Sequence, residues 1–414
     1  MEALYEAFPL EDFARLAVLK GVALADGQML VLRAPIEAYP FVRKVVQVAY
    51  EAGATYVHLE WSDSETARLR YALGSDAALR TYPQWLADGY ERMAKEGAAF
   101  LTIYAPNPDL LKDVPPERVA LANKTVGEAT KAYRALLMSD AARWSLISAP
   151  TVPWARKVFP DLAPEAAVRR LWELILKVSR VTGGDPLANW ERHAAELGRR
   201  VDYLNAKQYQ ALVFRGPGTE LTVGLPEGHL WQGGGSTDAN GVHFLPNIPT
   251  EEVYTMPHRE RVEGVVTASK PLNYNGTLIE GFRLTFEGGR VVDYHADRGA
   301  DVLKHLLEMD EGARFLGEVA LVPHDSPISQ ANVLFYNTLF DENAASHLAL
   351  GKAYPTTLQR GAELSLEELV KRGANHSIVH EDFMIGRAEM DVDGVTRDGT
   401  REPVMREGRW AFAV

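Results

Sequence analysis

Cysteine is absent from all 414 residues. That excludes disulfides and thiolate metal sites, so any metal has to be held by His, Asp, Glu or Tyr. It also fits a cytoplasmic setting, which is the expectation here. No apolar run approaches the ~20 residues of a membrane helix, so no membrane partner is expected. The opening Met1-Glu2-Ala3-Leu4-Tyr5-Glu6 has no basic segment followed by an apolar one, and no signal peptide is expected. Basic charge is in short supply. The 44 Lys and Arg against 56 Asp and Glu leave a net charge of −12, which argues against a nucleic-acid partner.

Several familiar catalytic signatures are missing as well. Neither G-x-S-x-G nor H-E-x-x-H occurs, which disfavours a nucleophile elbow and a one-zinc helix protease. Gly233-Gly234-Gly235-Ser236 lacks the Lys-Ser/Thr of a phosphate-binding loop and reads as a turn. No G-x-G-x-x-G follows a strand of the first half, which weakens a dinucleotide reading.

What is present is a chain long enough for two domains. In the first half, short apolar runs at 28–33, 55–61, 99–104 and 143–148 alternate with helical spacing at 36–51, 65–73, 84–95 and 120–137. That rhythm reads as βαβ units on a parallel sheet. Helices near 164–181 and 188–204 close this half. From about residue 211 the texture changes to hairpins. Runs at 211–214 and 220–223 flank Gly216-Pro217-Gly218, and runs at 283–286 and 290–294 flank Glu287-Gly288-Gly289. Asn275-Gly276 marks a third turn. Helices are expected near 330–340, 342–350 and 365–371, the last opened by a Ser365 to Glu368 capping box and ended at Gly373. The expected fold class is α/β. A βαβ-type N-terminal domain with a parallel sheet spans 1–205, and a C-terminal α+β domain rich in antiparallel strands spans 206–414.

Nine of the eleven histidines lie beyond residue 200, so candidate ligands concentrate in the second half. The key stretch there is Ser377-Ile378-Val379-His380-Glu381-Asp382-Phe383-Met384-Ile385-Gly386. In a strand, His380 and Asp382 face one side and Val379, Phe383 and Ile385 the other. Charge in such an apolar setting needs a partner, either a divalent metal or a buried Arg or Lys. His376 competes with His380 as a ligand but sits in a more polar context. In Thr250-Glu251-Glu252-Val253-Tyr254-Thr255-Met256-Pro257, alternation puts Glu252 and Tyr254 on one side and Glu251 and Val253 on the other. In Gly317-Glu318-Val319-Ala320-Leu321-Val322-Pro323, Glu318 shares its face with Ala320 and Val322. A fourth segment, 341–351, carries Glu342 and His347 and leads to Tyr354. Solvated edge acids and a structural His are the bland alternatives for each segment. Carboxylate-rich sets with two His suit a two-metal hydrolase, in which ions about 3.5–4 Å apart share a bridging carboxylate and water. Such donors accept cobalt, zinc or manganese alike.

The order of these segments resembles the aminopeptidase T, S and II family of metalloaminopeptidases. The resemblance is carried by Asn247-Ile248-Pro249-Thr250-Glu251-Glu252-Val253-Tyr254-Thr255, Gly317-Glu318-Val319-Ala320, His347, Tyr354 and His380-Glu381-Asp382-Phe383-Met384-Ile385-Gly386. In the first half, Tyr50-Glu51-Ala52-Gly53-Ala54-Thr55-Tyr56-Val57 and Trp61-Ser62-Asp63 are also similar. The resemblance implies a cytoplasmic, homodimeric exopeptidase that removes N-terminal residues from peptides with a free N-terminus. It implies two divalent metal ions per subunit, cobalt, zinc or manganese, with magnesium also allowed. Carried over by position, Glu252, Glu318, His347, His380 and Asp382 hold the metals, with Glu318 as the bridge. Tyr354 sits beside them as a catalytic residue together with Glu318. Glu342, close to His347 in sequence, is a further ligand candidate, and a one-residue register shift would exchange Glu251 for Glu252. Two other classes compete. One is a metal-binding or regulatory protein without turnover, and the other is a metal-free α/β binding protein in which His380 and Asp382 form a structural pair.

Overall fold

The structure, a computed structural model, describes residues 5–274 and 277–414. The Asn275-Gly276 turn and the opening Met1-Glu2-Ala3-Leu4 lie outside the described residues. The chain forms two compact units. One comprises Met1–Arg192, Gly235–Pro249 and Leu334–Asn337, and the other His193–Gly234, Thr250–Val333 and Thr338–Val414.

The first unit is built on four parallel strands: β1 (Met29–Pro35), β2 (Tyr56–Ser62), β3 (Ala99–Tyr104) and β4 (Trp144–Ser148), in the order β2-β1-β3-β4. These are the four apolar runs expected from the sequence. Successive side chains point to opposite faces. Val31 and Phe100 therefore pack on one side with Tyr90 and Ala94 of the helix Gln84–Lys95 and Tyr133 of the helix Lys131–Met138. Two residues on, that face turns polar. Arg33 donates to Glu60 at 3.2 Å and lies 4.2 Å over the Tyr90 ring, while the Tyr90 hydroxyl also bonds Glu60. Elsewhere in the unit, Phe13, Phe41 and Trp172 join three further helices through ring contacts at 5.3 and 5.6 Å.

Among the described residues the second unit holds two larger antiparallel sheets and a two-stranded pairing of Leu272–Tyr274 with Thr277–Ile279. The larger contains β5 (Ala211–Gly216), β6 (Thr219–Gly224), β9 (Val262–Thr267), β10 (Arg283–Glu287), β11 (Arg290–His295), β15 (Asp391–Val395), β16 (Arg401–Arg406) and β17 (Arg409–Trp410), ordered β11-β10-β9-β6-β5-β15-β16-β17. Both expected hairpins, β5–β6 and β10–β11, are formed. The smaller sheet contains β7 (Gln232–Gly233), β8 (Val253–Thr255), β12 (Leu316–Leu321), β13 (His347–Gly351) and β14 (His380–Met384), ordered β14-β13-β12-β8-β7. One apolar cluster joins the two sheets. Phe214, Leu221 and Val223 of the larger meet Val319, Leu321, Leu348, Leu350 and Phe383 of the smaller, with Leu303, Leu306 and Leu307 from the helix Ala300–Leu307. Burial of each such side chain contributes roughly 1.5–3 kcal/mol.

Two helices expected from the sequence take other forms. The stretch 342–350 is a short 3₁₀ turn, Glu342–Ala344, followed by the strand β13. Ala and Leu favour helix locally, but β12 and β14 bond β13 from both sides, and this pairing overrides the propensity. The stretch 330–340 is two separate short helices, Pro327–Ala331 and Thr338–Asp341. The first stops where Asn332 turns left-handed at φ 50°. The capping box is as expected, with Ser365 Oγ accepting from the Glu368 amide at 3.3 Å and Glu368 Oε2 accepting from the Ser365 amide at 2.8 Å.

β12 contains a bulge that sets the alignment of Glu318. Leu316 pairs with Leu350 and Glu318 with Ala349, leaving Gly317 as the extra residue. A Cβ on Gly317 would lie 2.4 Å from the carbonyl oxygens of both Gly351 and Lys352, which are backbone and cannot swing away. Gly317→Ala is therefore expected to lower unfolding free energy by about 2 kcal/mol or more, read as a fall in the thermal midpoint.

Candidate metal centre

The faces of the smaller sheet have opposite characters, and strand alternation creates the difference. Val319, Leu321, Leu348, Leu350 and Phe383 point into the core, so Glu318, Ala320, His347, Ala349, His380 and Asp382 point the other way. Register then aligns them. Ala349 lies opposite Glu318 on one side and Asp382 on the other, Ala320 opposite His347, and Gly351 opposite His380. Tyr254 of β8 faces Ala320 and, across its other edge, Gln232. Ala320, Ala349 and Gly351 thus form a floor of small side chains between the polar ones. A helix over 342–350 would have no such floor. Its signal in the sequence is the two-residue spacing of His347, Ala349 and Gly351.

Two groups of donors result, Glu252 with Glu318 and His347, and Glu318 with His380 and Asp382. Glu318 is common to both. Its Oε1 lies 3.5 Å from His347 Nε2 and its Oε2 3.8 Å from His380 Nε2. Glu252 Oε2 is 3.1 Å from His347 Nε2, and Asp382 Oδ1 is 3.6 Å from His380 Nε2. Glu252, Glu318 and His347 are almost closed to solvent, while His380, Asp382, Tyr354 and Glu342 are half-buried.

Each imidazole is oriented by a backbone carbonyl. His347 Nδ1 lies 3.1 Å from the Ala345 carbonyl oxygen and His380 Nδ1 2.7 Å from that of Lys352. A carbonyl only accepts, so both Nδ1 atoms carry a proton, and each Nε2 is a lone pair in the neutral ring and an N–H in the protonated one. Both Nε2 atoms face carboxylate oxygens, and Glu252 Oε2 and Asp382 Oδ1 are buried without a hydrogen-bond partner. Oxygen facing the lone pair of a neutral imidazole at this range is repulsive unless a proton or a metal ion lies between. Donors about 2.0–2.2 Å from one ion are separated by distances of this order. No Arg or Lys pairs with Glu252, Glu318 or Asp382 among the described residues. The donor set therefore fits divalent metal.

Electrostatics in the protein alone express the same strain. Burial, with Asp382 and Glu252 nearby, pushes Glu318 up to about 7 despite His347. Burial and the surrounding carboxylates raise Glu342 well above the usual carboxylate range. Burial disfavours protonated His347, but Glu252, Glu318 and Asp382 outweigh it and raise the imidazole well above its ordinary value. Burial and four neighbouring carboxylates raise the Tyr354 phenol, which stays protonated.

The remaining sequence candidates take different positions around these groups. Tyr354 stands beside the second group, its ring centre 4.8 Å from that of His380 and 6.4 Å from that of Tyr254. Glu251 points elsewhere, with Oε2 3.7 Å from His193 Nε2. His376 is exposed. Glu342 lies near both groups but belongs to neither. Asn343, which sequence reasoning missed, ties these segments together. Its Oδ1 accepts from the Glu251 amide at 2.7 Å, and its Nδ2 donates to the Leu339 carbonyl at 3.1 Å and to Glu342 Oε1 at 3.4 Å.

Comparison with known proteins agrees with this chemistry. Residues 7–410 match the thermophilic metalloprotease family M29. Aminopeptidase 2 of Geobacillus stearothermophilus is 55% identical over 403 residues, 97% of this chain and 98% of that protein. Aminopeptidase AmpS of Bacillus subtilis is 49% identical over 403 residues, again 97% and 98% of the two chains. The solved structure of wild-type AmpT from Thermus thermophilus superposes with a TM-score of 0.93 at 48% identity, covering 97% of this chain and 99% of that one.

The raised groups make stability depend on pH. A group whose pKa is raised by folding contributes stability below its unfolded value and loses it as pH rises through the folded one. Chelator-treated protein is thus expected to melt at progressively lower temperature as pH rises through about 7, where Glu318 ionises. The decline continues through about 8, where burial has placed Glu381. With divalent cation present, calorimetry across the same range is expected to show a much shallower decline.

Proposed function

The chain belongs to the thermophilic metalloprotease family M29 and is a metal-dependent aminopeptidase, and on that premise we propose that it cleaves N-terminal residues from peptides with two divalent ions. Glu252, Glu318 and His347 would hold one ion, and Glu318, His380 and Asp382 the other. The observation that carries this reading is the division of Glu318, whose two carboxylate oxygens turn to different histidines. Paired ions at such a site supply Lewis acidity, which makes a water nucleophilic at neutral pH and polarises a carbonyl. Cobalt, zinc, manganese and magnesium are the candidates.

The chain's own residues have separable tasks. Glu318 ties the two donor groups into one centre. The Ala345 and Lys352 carbonyls hold both imidazoles with Nε2 toward the carboxylates, which preserves donor geometry through turnover. The Tyr354 phenol keeps its proton and donates it in a hydrogen bond to the oxyanion that develops on the scissile carbonyl. Residues 206–414 would form the catalytic domain and 1–205 a separate α/β domain. A homodimer in the cytoplasm is the accompanying assignment.

Hydrolysis of leucine p-nitroanilide is expected to vanish on chelation and return on adding back cobalt, zinc or manganese, with two ions per chain by elemental analysis. Glu318→Ala is expected to abolish both activity and tight metal binding. Retention of two ions in that variant would remove Glu318 from the bridging position. Tyr354→Phe should keep its metal and lose kcat by roughly 100- to 1,000-fold. Undiminished kcat would end the oxyanion role.

A further inference from the structure

Unlike Glu318, His347, His380 and Asp382, Tyr354 is not on a strand. It precedes the short 3₁₀ turn Pro355–Thr357, so its phenol is aimed by whatever fixes that turn. Upstream, the Ala353 amide donates to the Asn375 carbonyl at 3.0 Å. Downstream, Thr357 donates to the Tyr354 carbonyl from its amide at 3.1 Å and from its hydroxyl at 2.7 Å. The turn itself is moored to β7 and the residues before it. The Leu230 amide donates to the Thr357 carbonyl at 2.8 Å, and Gln232 Nε2 donates to the Thr356 carbonyl at 2.9 Å.

The Gln232 side chain also reaches a second element. A carbonyl only accepts, so the atom that faces the Thr356 carbonyl is the amide nitrogen, and the orientation of the amide follows. Its Oε1 then accepts from the Tyr254 hydroxyl at 3.0 Å and from Thr356 Oγ1 at 3.4 Å. Tyr254 lies directly across from Gln232 in the pairing of β8 with β7. The Tyr254 ring stands edge-on to that of Tyr354, with centres 6.4 Å apart and planes at 68°. One amide therefore ties down both the turn that follows Tyr354 and the ring beside it. Gln232 carries no charge and belongs to neither donor group. A hydrogen-bond donor stabilises an oxyanion only when aimed at it, and a misplacement of about 1 Å can cost on the order of 100-fold in rate. Resting on the oxyanion role of Tyr354, we propose that Gln232 is a positioning residue for the reaction. It aims the Tyr354 phenol at the scissile carbonyl through Thr356 and Tyr254, and it holds no ion.

A double-mutant cycle on the metal-loaded protein separates aiming from mere structural support. Gln232→Ala leaves the Leu230–Thr357 bond in place, so it is expected to keep two ions and its thermal midpoint. Its kcat on leucine p-nitroanilide is expected to fall about 10-fold or more, with KM unchanged. In a Tyr354→Phe background the same substitution is expected to change kcat by less than about 2-fold, because the group it aims is gone. An equal fall in both backgrounds would overturn the proposal. So would undiminished kcat in Gln232→Ala alone, or loss of an ion from that variant. If Gln232→Ala does not fold, Gln232→Glu carries the same comparison, since it keeps the acceptor for both hydroxyls and withdraws only the donor to Thr356. Undiminished kcat in Tyr354→Phe alone would instead fail the oxyanion role, and the proposal with it. Wild-type protein without metal-dependent hydrolysis would fail the dimetal reading before any variant is made.

Discussion

Two-residue alternation along three neighbouring strands of the smaller sheet governs the centre. Val319, Leu321, Leu348, Leu350 and Phe383 are driven into the core shared with the larger sheet, and the same alternation forces Glu318, His347, His380 and Asp382 onto the other face. A one-residue slip of any strand would bury its acids or imidazoles in the core and expose its leucines. The hydrophobic effect thus sets the donor register, although it acts on none of the donors. Gly317 adds the single irregularity, a bulge that aligns Glu318 with Ala349 and Asp382.

The unit contains two contrasting solutions for a buried acid. Asp393, in the larger sheet, is bonded by both Arg215 and Arg406, and its pKa is lowered by these arginines despite burial. It is complete without help from outside. Glu252, Glu318 and Asp382 meet imidazoles, whose Nδ1 protons are turned toward backbone carbonyls. Such a cluster is stable with protons bound or with external cations bound. This links folding, pH and metal occupancy through the same few atoms. The floor of Ala320, Ala349 and Gly351 completes the arrangement by leaving the space between the donors free of larger side chains.

The legible part of the protein is the part written in local pattern. Four apolar runs spaced by helical segments announce the parallel sheet, Gly-rich turns between short strands announce the hairpins, and His380-x-Asp382 in an apolar strand announces a polar site. Alternation also separates Glu252 from Glu251 in principle, although the register of β8 is visible only in its pairing with β12. The segment around His347 reads as helix because Glu, Ala and Leu carry helix propensity. Leu348 and Leu350 in fact mark the buried face of a strand.

By itself the sequence determined the donor chemistry and the two-layered rhythm. Without cysteine, any centre had to be built from carboxylates and imidazoles, and nine of the eleven imidazoles lie in the second half. Tertiary structure decided which of them meet. Glu252, just before β8, and Glu318, His347 and His380 on three strands are separated by up to 66 residues between neighbours in the chain, and no local signal encodes their convergence. Cross-strand pairing does so, because it fixes which residues lie side by side.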